Sequence, residues 1–372
     1  MTLSTQDNSS SNRISSSALA EYGLTPELSA QLHDGEWPAR VVRADRLFLQ
    51  VVTEHGPARV SRPRAAAHQD PGATGDWLAL HTGANGEPEV ARVLPRTSQL
   101  IRKAAFDNST ESQVLAANID LIGVVVPIDR AVSENRLERM LVAAWDSGAT
   151  PLIILTKADL ADGVNGNRDV VADALRFATG VEVFTTSAAE GDGIEQLRQR
   201  VLASAHAATL TFLGPSGAGK SSLINALVGA EVQGTGEVRE GDFKGKHTTT
   251  SRELIPLPGG GVLMDTPGVR GFQTVDAEEG ITAVFGDIEA LFADCRFSDC
   301  GHGSEPGCAV QAAIGSGALE PRRWQSYQKM QREMARLATR KEAAAARAES
   351  RSRGREYRNF KKIQEQSRRQ RY

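Results

Sequence analysis

A glycine-rich stretch at residues 214–222, GPSGAGKSS, contains the residue types that bind phosphate groups. It fits the pattern GxxxxGKS, follows the apolar run TLTFL and precedes a helix-like segment, SSLINALVG. In this pattern glycines let backbone N–H groups surround phosphate oxygens, while Lys220 reaches the outer phosphates and the Ser221 hydroxyl binds Mg²⁺. A glycine-rich turn before a helix is the alternative. The predicted loop residues are Gly214, Pro215, Ser216, Gly217, Ala218, Gly219, Lys220, Ser221 and Ser222.

The tetrapeptide DTPG at residues 265–268 lies at the end of a second apolar run, GVLMDT. A strand tip here would place Asp265 near the water shell of the magnesium ion and the Gly268 N–H near the γ-phosphate of a nucleotide. DTPG alone is a common turn sequence. Its position after the phosphate loop favours a switch that senses the γ-phosphate.

A third motif, TKAD at residues 156–159, follows the apolar run PLIIL. The Asp159 carboxylate can accept hydrogen bonds from N1–H and the exocyclic amine of guanine, whereas N1 of adenine is itself an acceptor. Lys157 would lie over the base plane, and a backbone N–H after the next apolar run would bind the guanine O6. The tetrapeptide is weak evidence alone, but with the phosphate loop it favours guanine over adenine. The predicted base-site residues are Thr156, Lys157, Ala158, Asp159, Ser187 and Ala188.

The order of these motifs is unusual, because the base motif precedes the phosphate loop in the chain. A nucleotide site of this kind is assembled from the carboxyl ends of adjacent parallel strands, so its contacts depend on strand position and not on chain order. Moving the chain termini leaves every contact possible. The succession of base motif, phosphate loop and switch therefore predicts a circular permutation.

Three cysteines and a histidine lie within residues 295–308, CRFSDCGHGSEPGC. Three thiolates and one imidazole suffice for a closed tetrahedral site, which predicts one structural Zn²⁺ and not a catalytic zinc. Three reduced cysteines in a loop are the alternative. Their odd number argues against a disulfide framework and indicates a reducing compartment. The predicted zinc ligands are Cys295, Cys300, His302 and Cys308.

The hydrophobic pattern divides the chain into regions. Short alternating runs separated by turn residues fit a small N-terminal β-barrel, with an OB-fold as the leading interpretation and a β-sandwich or SH3-like barrel as alternatives. After a linker around residues 97–113, near-continuous apolar runs alternate with helix-like segments, as in a doubly wound α/β domain. From about residue 280 the pattern becomes helical.

The net charge of −3 hides an uneven distribution. Residues 322–372 contain 17 Lys and Arg against 5 Asp and Glu, so this tail is strongly basic and the remaining chain is acidic. A basic tail suggests a polyanionic partner, and phosphate contacts of this kind give salt-dependent, sequence-tolerant affinity. OB-folds and zinc modules frequently bind RNA. A solvated charged face or a disordered appendage is the alternative.

Together the motifs resemble the circularly permuted, ribosome small-subunit-dependent GTPases known as RsgA or YjeQ, over about residues 38–330. The resemblance includes the motif order, GKHTTT at 245–250, which matches the family's first switch, DTPGVRGF as its second switch, and the cysteine and histidine cluster. Two positions depart from the family pattern. Thr156 stands where asparagine is usual, and Gly271 where an acidic residue is frequent. The first departure could loosen the guanine loop, without a change of base choice.

The residue that orients the attacking water needs a separate assignment. Small GTPases use a glutamine directly after the second-switch glycine. Here that residue is Val269, which cannot polarise water. The resemblance favours His247 as a catalytic group beside Lys220, with Thr249 of the first switch approaching Mg²⁺. A histidine that contacts RNA or holds the loop is the alternative.

The resemblance implies a GTPase that hydrolyses GTP to GDP and phosphate, is stimulated by the ribosome, and binds the small ribosomal subunit and its rRNA to assist late maturation. The implied cofactors are one structural Zn²⁺ and Mg²⁺ with GTP. We expect a cytoplasmic monomer without a membrane partner, since no run of about 18 apolar residues occurs. An RNA-binding module that uses GTP mainly as a structural ligand, or an NTP-dependent metabolic enzyme, remain alternatives.

The expected fold class is multidomain α/β: an N-terminal OB-like β-barrel, a circularly permuted, doubly wound P-loop GTPase domain, and a C-terminal helical zinc module with a basic tail. The predicted domains are a disordered lead-in or linker at 1–37, the OB-fold barrel at 38–103, the GTPase domain at 104–280, the zinc module at 281–330 and a basic helical or disordered tail at 331–372.

Overall fold

The computed structural model of the chain describes residues 17–63, 70–103, 112–129, 133–163, 180–204, 206–233, 252–265, 278–303 and 305–336, with helical positions 338, 339, 342, 343, 346, 350 and 353. The chain folds into two compact units. The first comprises Met1–Leu100, Leu115–Met140 and Ser147–Arg270, and the second comprises Ile101–Val114, Leu141–Asp146 and Gly271–Tyr372.

The described residues form short helices and strands in mixed order. The helices are α1 (Ser17–Glu21), α2 (Pro26–Ser29), α3 (Glu134–Asp146), α4 (Ile194–Leu202), α5 (Lys220–Val228), α6 (Glu278–Ala290), α7 (Ala309–Ser316) and α8 (321–336). The strands are β1 (Trp37–Ala44), β2 (Phe48–Thr53), β3 (Gly56–Ser61), β4 (Trp77–Thr82), β5 (Pro88–Val93), β6 (Gln99–Lys103), β7 (Ser112–Ala117), β8 (Leu121–Pro127), β9 (Thr150–Thr156), β10 (Glu182–Thr185), β11 (Thr209–Leu213), β12 (Glu253–Pro256) and β13 (Val262–Asp265). No helix in these parts of the chain is long and apolar enough to cross a bilayer.

Strands β1 to β5 form an antiparallel sheet in the order β3-β2-β1-β4-β5. The two edge strands, β3 and β5, also contact each other, so the sheet curls towards a barrel. Side chains alternate between its two faces. On β4, Leu78 and Leu80 point into the barrel core, whereas Trp77 and Ala79 pack against Leu19 of α1. The sheet is therefore buried on both faces at β4.

Strands β8 to β13 form a second sheet in the order β10-β9-β8-β11-β13-β12. All neighbours are parallel except β12, which pairs antiparallel with β13 at one edge. Helices α4 and α5 cover one face, where Leu197 and Leu223 join a core with Leu152 and Leu210. The strands predicted from the apolar runs form β8, β9, β10, β11 and β13, as a sheet with helical cover requires.

Two features of the strand pattern were not predicted. The segment 97–113, expected to be a linker, contains β6 and the start of β7, and these two strands pair with each other. The edge strand β12 was also missed, because its short sequence ELIP offers only two apolar side chains ahead of a proline. Strands this short carry too little periodicity to be recognised.

Within the first unit, Arg40 connects the two large sheets. Its guanidinium on β1 is buried and donates hydrogen bonds to Asn118 O at 3.0 Å and to Thr209 Oγ1, at the start of β11, at 3.1 Å. It also lies over the Trp77 ring, 4.9 Å from the centroid. Burial lowers the pKa of Arg40 to about 10, against the opposing charges of Asp120 and Asp76. The cation stays charged at neutral pH.

The second unit has an aromatic core shared by α6, α7 and α8. Phe285, Tyr327 and Trp324 are buried, with Phe285 and Tyr327 in edge contact at 5.6 Å and Trp324 stacked on Tyr327 at 5.6 Å. Val310 of α7 completes this core. Large aromatic side chains supply much of the burial that a unit of this size needs.

An ion pair fixes the turn that leads into β4. The Asp76 carboxylate, fully buried, accepts from Arg96 Nε at 2.6 Å, from Arg96 Nη2 at 2.7 Å and from the Ala73 N–H at 2.7 Å. Asp70 contacts the same guanidinium through Nη1 at 2.7 Å. All of these groups belong to the barrel region. Removing one of them therefore tests how much the ion pair stabilises the barrel.

We predict that Asp76→Ala lowers the free energy of unfolding by about 3 to 5 kcal/mol, because it leaves a mostly buried guanidinium without its main partner. The matched control is Asp45→Ala, which removes the half-exposed partner of Arg43 and should cost less than about 1 kcal/mol. Urea unfolding at pH 7 measures both. An equal loss of unfolding free energy in the two variants would contradict a stabilising role for the buried Asp76–Arg96 ion pair.

Candidate functional site

The phosphate-loop residues connect the carboxyl end of β11 to the first residue of α5. All five residues of β11 are buried, so the strand fixes where the loop starts. At Gly214 a Cβ atom would lie 2.8 Å from the carbonyl oxygen of Val125 on β8, which leaves no space for a side chain. Gly219 has φ +86°, which favours glycine, and directly precedes Lys220. The loop thus leads directly into the N-terminus of α5, and helix N-termini bind anions through their free backbone N–H groups.

The Lys220 ammonium lies over this loop. Its Nζ donates to Gly214 O at 2.9 Å and to Pro215 O at 2.7 Å. Burial lowers the pKa of Lys220, while the charge of Asp265 opposes the shift. The Lys220 ammonium is half-buried, and its hydrogen bonds within the described residues go to backbone carbonyl groups. An anion within reach would stabilise it, because full charge pairing offsets its desolvation.

The base motif occupies the carboxyl end of β9. Thr156 is the last residue of the strand, Lys157 adopts a positive φ of 66°, and Asp159 lies in a 3-10 helix at Ala158–Gly163. The Lys157 ammonium forms an ion pair with Asp129, which follows β8. Asp159 is exposed to solvent, as a residue that contacts a ligand must be.

The tip of β10 supports the base motif. Ser187 is buried, and its hydroxyl donates to Asp159 Oδ1 at 2.7 Å. The Ser187 N–H donates to Asp192 O at 2.9 Å and is therefore used inside the loop. Among the described residues, the Ala188 N–H has no hydrogen-bond partner. Of the two predicted N–H groups, Ala188 is the one free for a ligand.

A side-chain hydrogen bond joins the base motif to the phosphate loop. Thr156 Oγ1 donates to Ala218 O at 2.6 Å, and both residues are buried. Strand β8 lies between β9 and β11, so the strands carrying the two motifs are about 10 Å apart. Because all three strands are parallel, their carboxyl ends share one edge of the sheet. The structure therefore brings both motifs together despite their inverted order.

Asp265 ends β13, on the other side of β11 from β8. It is 7% exposed, and Oδ2 accepts from Gln233 Nε2 at 2.6 Å. Burial raises the pKa of Asp265 to about 6, with Glu253 adding to the rise and Gln233 and Lys220 opposing it. A nearby cation would stabilise the charged form of this buried carboxylate.

The cysteine cluster lies in the second unit, between the 3-10 helix Leu291–Asp294 and α7. The ligand atoms of Cys295, Cys300, His302 and Cys308 all lie within 4.8 Å of one another. His302 Nδ1 is 3.5 Å from Cys295 Sγ and 3.7 Å from Cys308 Sγ. Ligands of a tetrahedral zinc ion with bonds of 2.0 to 2.3 Å are separated by about 3.5 to 3.8 Å. This group can therefore bind a metal.

The surroundings of the cluster fix the orientation of its histidine. The His302 ring stacks on Phe292 with centroids 4.2 Å apart. The backbone carbonyl of His302 accepts a hydrogen bond from Gln311 Nε2 at 2.8 Å. The Glu305 carboxylate accepts from the N–H groups of Gly301 and Gly303, which flank the histidine. Outer contacts of this kind orient metal ligands in advance.

Residues 93–275 match the RsgA GTPase family. The small ribosomal subunit biogenesis GTPase RsgA of Streptomyces coelicolor is 44% identical over 351 residues, which cover 92% of this chain and 93% of the relative. The chain belongs to the RsgA GTPase family. The small ribosomal subunit biogenesis GTPase RsgA 2 of Lactiplantibacillus plantarum is 40% identical over 85% of this chain and 89% of its own length.

Solved structures of RsgA relatives share the fold. YjeQ from Thermotoga maritima has a TM-score of 0.59 and 25% identity, covering 81% of this chain and 99% of its own. YloQ, described as a circularly permuted GTPase, has a TM-score of 0.58 and 23% identity, covering 82% of this chain and 97% of its own. The permuted motif order inferred from the sequence is thereby confirmed.

Some predicted site residues of this RsgA family member lie outside the described residues. They are His247, Thr249, Gly268 and, with them, Val269 and Gly271. Their roles stay predictions. All other predicted residues of the phosphate loop, the base motif and the cysteine cluster lie within the described residues.

Sequence reasoning missed three residues: Asp129 and Gln233, which contact the candidate site residues Lys157 and Asp265, and Asn225, which contacts Gln233. Asp129 follows the buried strand β8, as Asp159 follows β9, and that position was the available signal. Asn225 lies inside α5, and Gln233 five residues beyond its end. Neither belongs to a recognisable motif, so only the folded structure identifies them.

We predict that Thr156→Val weakens GDP binding by about fivefold to tenfold, because the Ala218 carbonyl loses its donor and the two motifs lose their direct connection. Titration of a fluorescent GDP analogue measures the affinity. Thr82→Val, an exposed position at the end of β4, is the matched control and should leave affinity unchanged. Unaltered affinity in Thr156→Val would show that this bond does not hold the site together.

Proposed function

We propose that this chain is a ribosome-stimulated GTPase that binds the small ribosomal subunit, assists its late maturation and hydrolyses GTP to GDP and phosphate. The observation that carries the proposal is the Thr156–Ala218 hydrogen bond, which connects a base-recognition loop to a phosphate loop within one site. The names of two relatives, small ribosomal subunit biogenesis GTPases at 44% and 40% identity, support the biological role.

Guanine recognition is assigned to the loop after β9. One oxygen of Asp159 is oriented by the Ser187 hydroxyl, and the exposed carboxylate accepts from N1–H and the exocyclic amine of guanine. The Ala188 N–H donates to the guanine O6. Lys157, held by Asp129, lies over the base plane. Adenine presents an acceptor at N1, so it would leave the carboxylate badly paired.

Phosphate and magnesium binding are assigned to the loop and the two strand ends beside it. Lys220 and the loop N–H groups hold the β- and γ-phosphates. The Ser221 hydroxyl, in the first turn of α5, is a hard oxygen ligand that suits Mg²⁺, and the buried Asp265 carboxylate would accept a hydrogen bond from a water bound to that ion. When bound with GTP, this ion neutralises charge that develops on the phosphate oxygens. Thr249 is proposed to approach it, and Gly268 to sense the γ-phosphate.

Hydrolysis requires a water to attack the γ-phosphorus while the bond to the β–γ bridging oxygen breaks, which releases GDP and inorganic phosphate. Lys220 stabilises the charge that collects on the phosphate oxygens. We assign orientation of the water to His247, since Val269 replaces the usual glutamine. Without that glutamine, turnover of the free protein should be slow.

The finer assignment of the other regions follows from their topology and charge. The strand order β3-β2-β1-β4-β5 with contacting edges supports an OB-fold at residues 38–103. The ligand separations in the cysteine cluster support one structural Zn²⁺ within residues 281–330. The GTPase domain is assigned to residues 104–280. We propose that the barrel, the zinc module and the basic tail at 331–372 bind rRNA, and that the protein acts as a cytoplasmic monomer.

We predict that small ribosomal subunits raise the GTP hydrolysis rate at least about tenfold and leave ATP hydrolysis unaffected, because the guanine contact excludes adenine. Phosphate release measured with and without purified subunits, with each nucleotide, tests this. Asp159→Ala should abolish GTP binding without lowering the melting temperature. Equal GTP turnover with and without subunits would refute ribosome stimulation.

The same assay tests the water-orienting residue. His247→Ala should keep GTP affinity and lose most of the stimulated turnover, at least about a hundredfold. His206→Ala, which alters an exposed histidine, is the matched control and should keep full turnover. Full stimulated turnover in His247→Ala would eliminate the catalytic role.

We predict one zinc per chain, removed by chelation with loss of the folded second unit, because a closed Cys₃His site contributes directly to folding. Metal analysis by mass spectrometry and thermal unfolding before and after chelation measure this. Cys308→Ser should prevent zinc retention, whereas Ser316→Ala on the nearby helix α7 should not. A metal-free protein with unchanged unfolding would contradict a structural zinc.

A further inference from the structure

A chain of side-chain contacts runs from α5 to Asp265 at the end of β13, through two residues that belong to no motif. It starts at Asn225, whose Nδ2 donates to Gln233 O at 2.8 Å. Asn225 Oδ1 accepts from the N–H groups of Val232 at 3.0 Å and Gln233 at 2.8 Å. The amide thus uses both its donor and its acceptor on one short backbone segment, which fixes that segment against the helix.

The fixed segment delivers the Gln233 side chain to Asp265. Gln233 Nε2 donates to Asp265 Oδ2 at 2.6 Å. Among the described residues, the other carboxylate oxygen, Oδ1, has no hydrogen-bond partner. One oxygen of this buried carboxylate is therefore held by the protein, and the other is oriented by it.

The helix that anchors the chain also carries the proposed magnesium ligand Ser221. Ser221 and Asn225 are four residues apart on α5, so they lie on the same helix face. Asn225 and Gln233 therefore join the helix that carries Ser221 to the Asp265 carboxylate on β13. Any displacement of α5 relative to β13 would break this connection.

We propose that Gln233 is a positioning residue for the magnesium site: it fixes one oxygen of Asp265 so that the other accepts a hydrogen bond from magnesium-bound water. This inference rests on the proposed function. Asn225 acts one step further out, by holding Gln233 in place. In the opposite reading the amide competes with the ion for the carboxylate, and the Gln233 and Asn225 variants would then lower the half-maximal Mg²⁺ concentration.

The test measures magnesium binding independently of hydrolysis. Mg²⁺ bound with the nucleotide slows its release, so the dissociation rate of a fluorescent GDP analogue is recorded against free Mg²⁺ concentration. Gln233→Met removes the donor at similar size, and Gln233→Ala removes the side chain. Both should raise the half-maximal Mg²⁺ concentration by about tenfold, as loss of an outer contact to a metal site does. Asn225→Ala should give a smaller rise of about threefold, because it acts through Gln233.

Controls separate this inference from the function on which it rests. Gln199→Ala, which removes an exposed glutamine bonded to Glu195 on α4, should leave the magnesium dependence unchanged. Release of the analogue in EDTA should match wild type in all variants, since phosphate and base contacts are intact. If the wild-type protein fails to bind the analogue, the proposed function is wrong. If wild type binds and Gln233→Met shows an unchanged or lower half-maximal Mg²⁺ concentration, only the role of Gln233 is overturned.

Discussion

Parallel pairing of β9, β8 and β11 is the constraint on which the nucleotide site depends. Parallel strands present their carboxyl ends at one edge, so the base motif after β9 and the phosphate loop after β11 reach the same place whichever comes first in the chain. The Thr156–Ala218 hydrogen bond then joins the two ends across β8. A buried bond of this kind is costly to leave unmade, and this favours a single arrangement of the two loops.

Two charged side chains at this edge of the sheet are partly buried, and their pKa values are shifted as a result. Lys220, at the end of the phosphate loop, and Asp265, at the end of β13, are both partly removed from water, and burial shifts the pKa of each towards its neutral form. Partly buried charges of this kind destabilise the protein when no ligand is bound. A ligand that carries both phosphate and a divalent cation offsets this destabilisation. The barrel is connected to the opposite end of the sheet, where Arg40 bonds to the first residue of β11.

Much of this site was predictable because its residues occupy strand ends. Lys220, Asp159 and Asp265 each follow a buried apolar run, and the sequence places a motif at each of these points. Thr156 was recognised as a departure that could loosen the guanine loop, yet the structure shows its hydroxyl bonded to Ala218. Asn225 and Gln233 were unpredictable, since their contacts depend on where a segment outside any motif returns to β13. The pairing of β6 with β7 was missed for a related reason: partners of short strands are chosen by the fold and not by local pattern.

The account requires that Asp159 and Lys220 act on one nucleotide. A crystal structure with a non-hydrolysable GTP analogue and Mg²⁺ tests this most directly. The expected result places the Asp159 carboxylate within hydrogen-bond distance of N1 and the exocyclic amine of guanine, with the Lys220 ammonium against the β- and γ-phosphates of the same molecule. An analogue that contacts Lys220 while its base lies away from Asp159 would contradict the account.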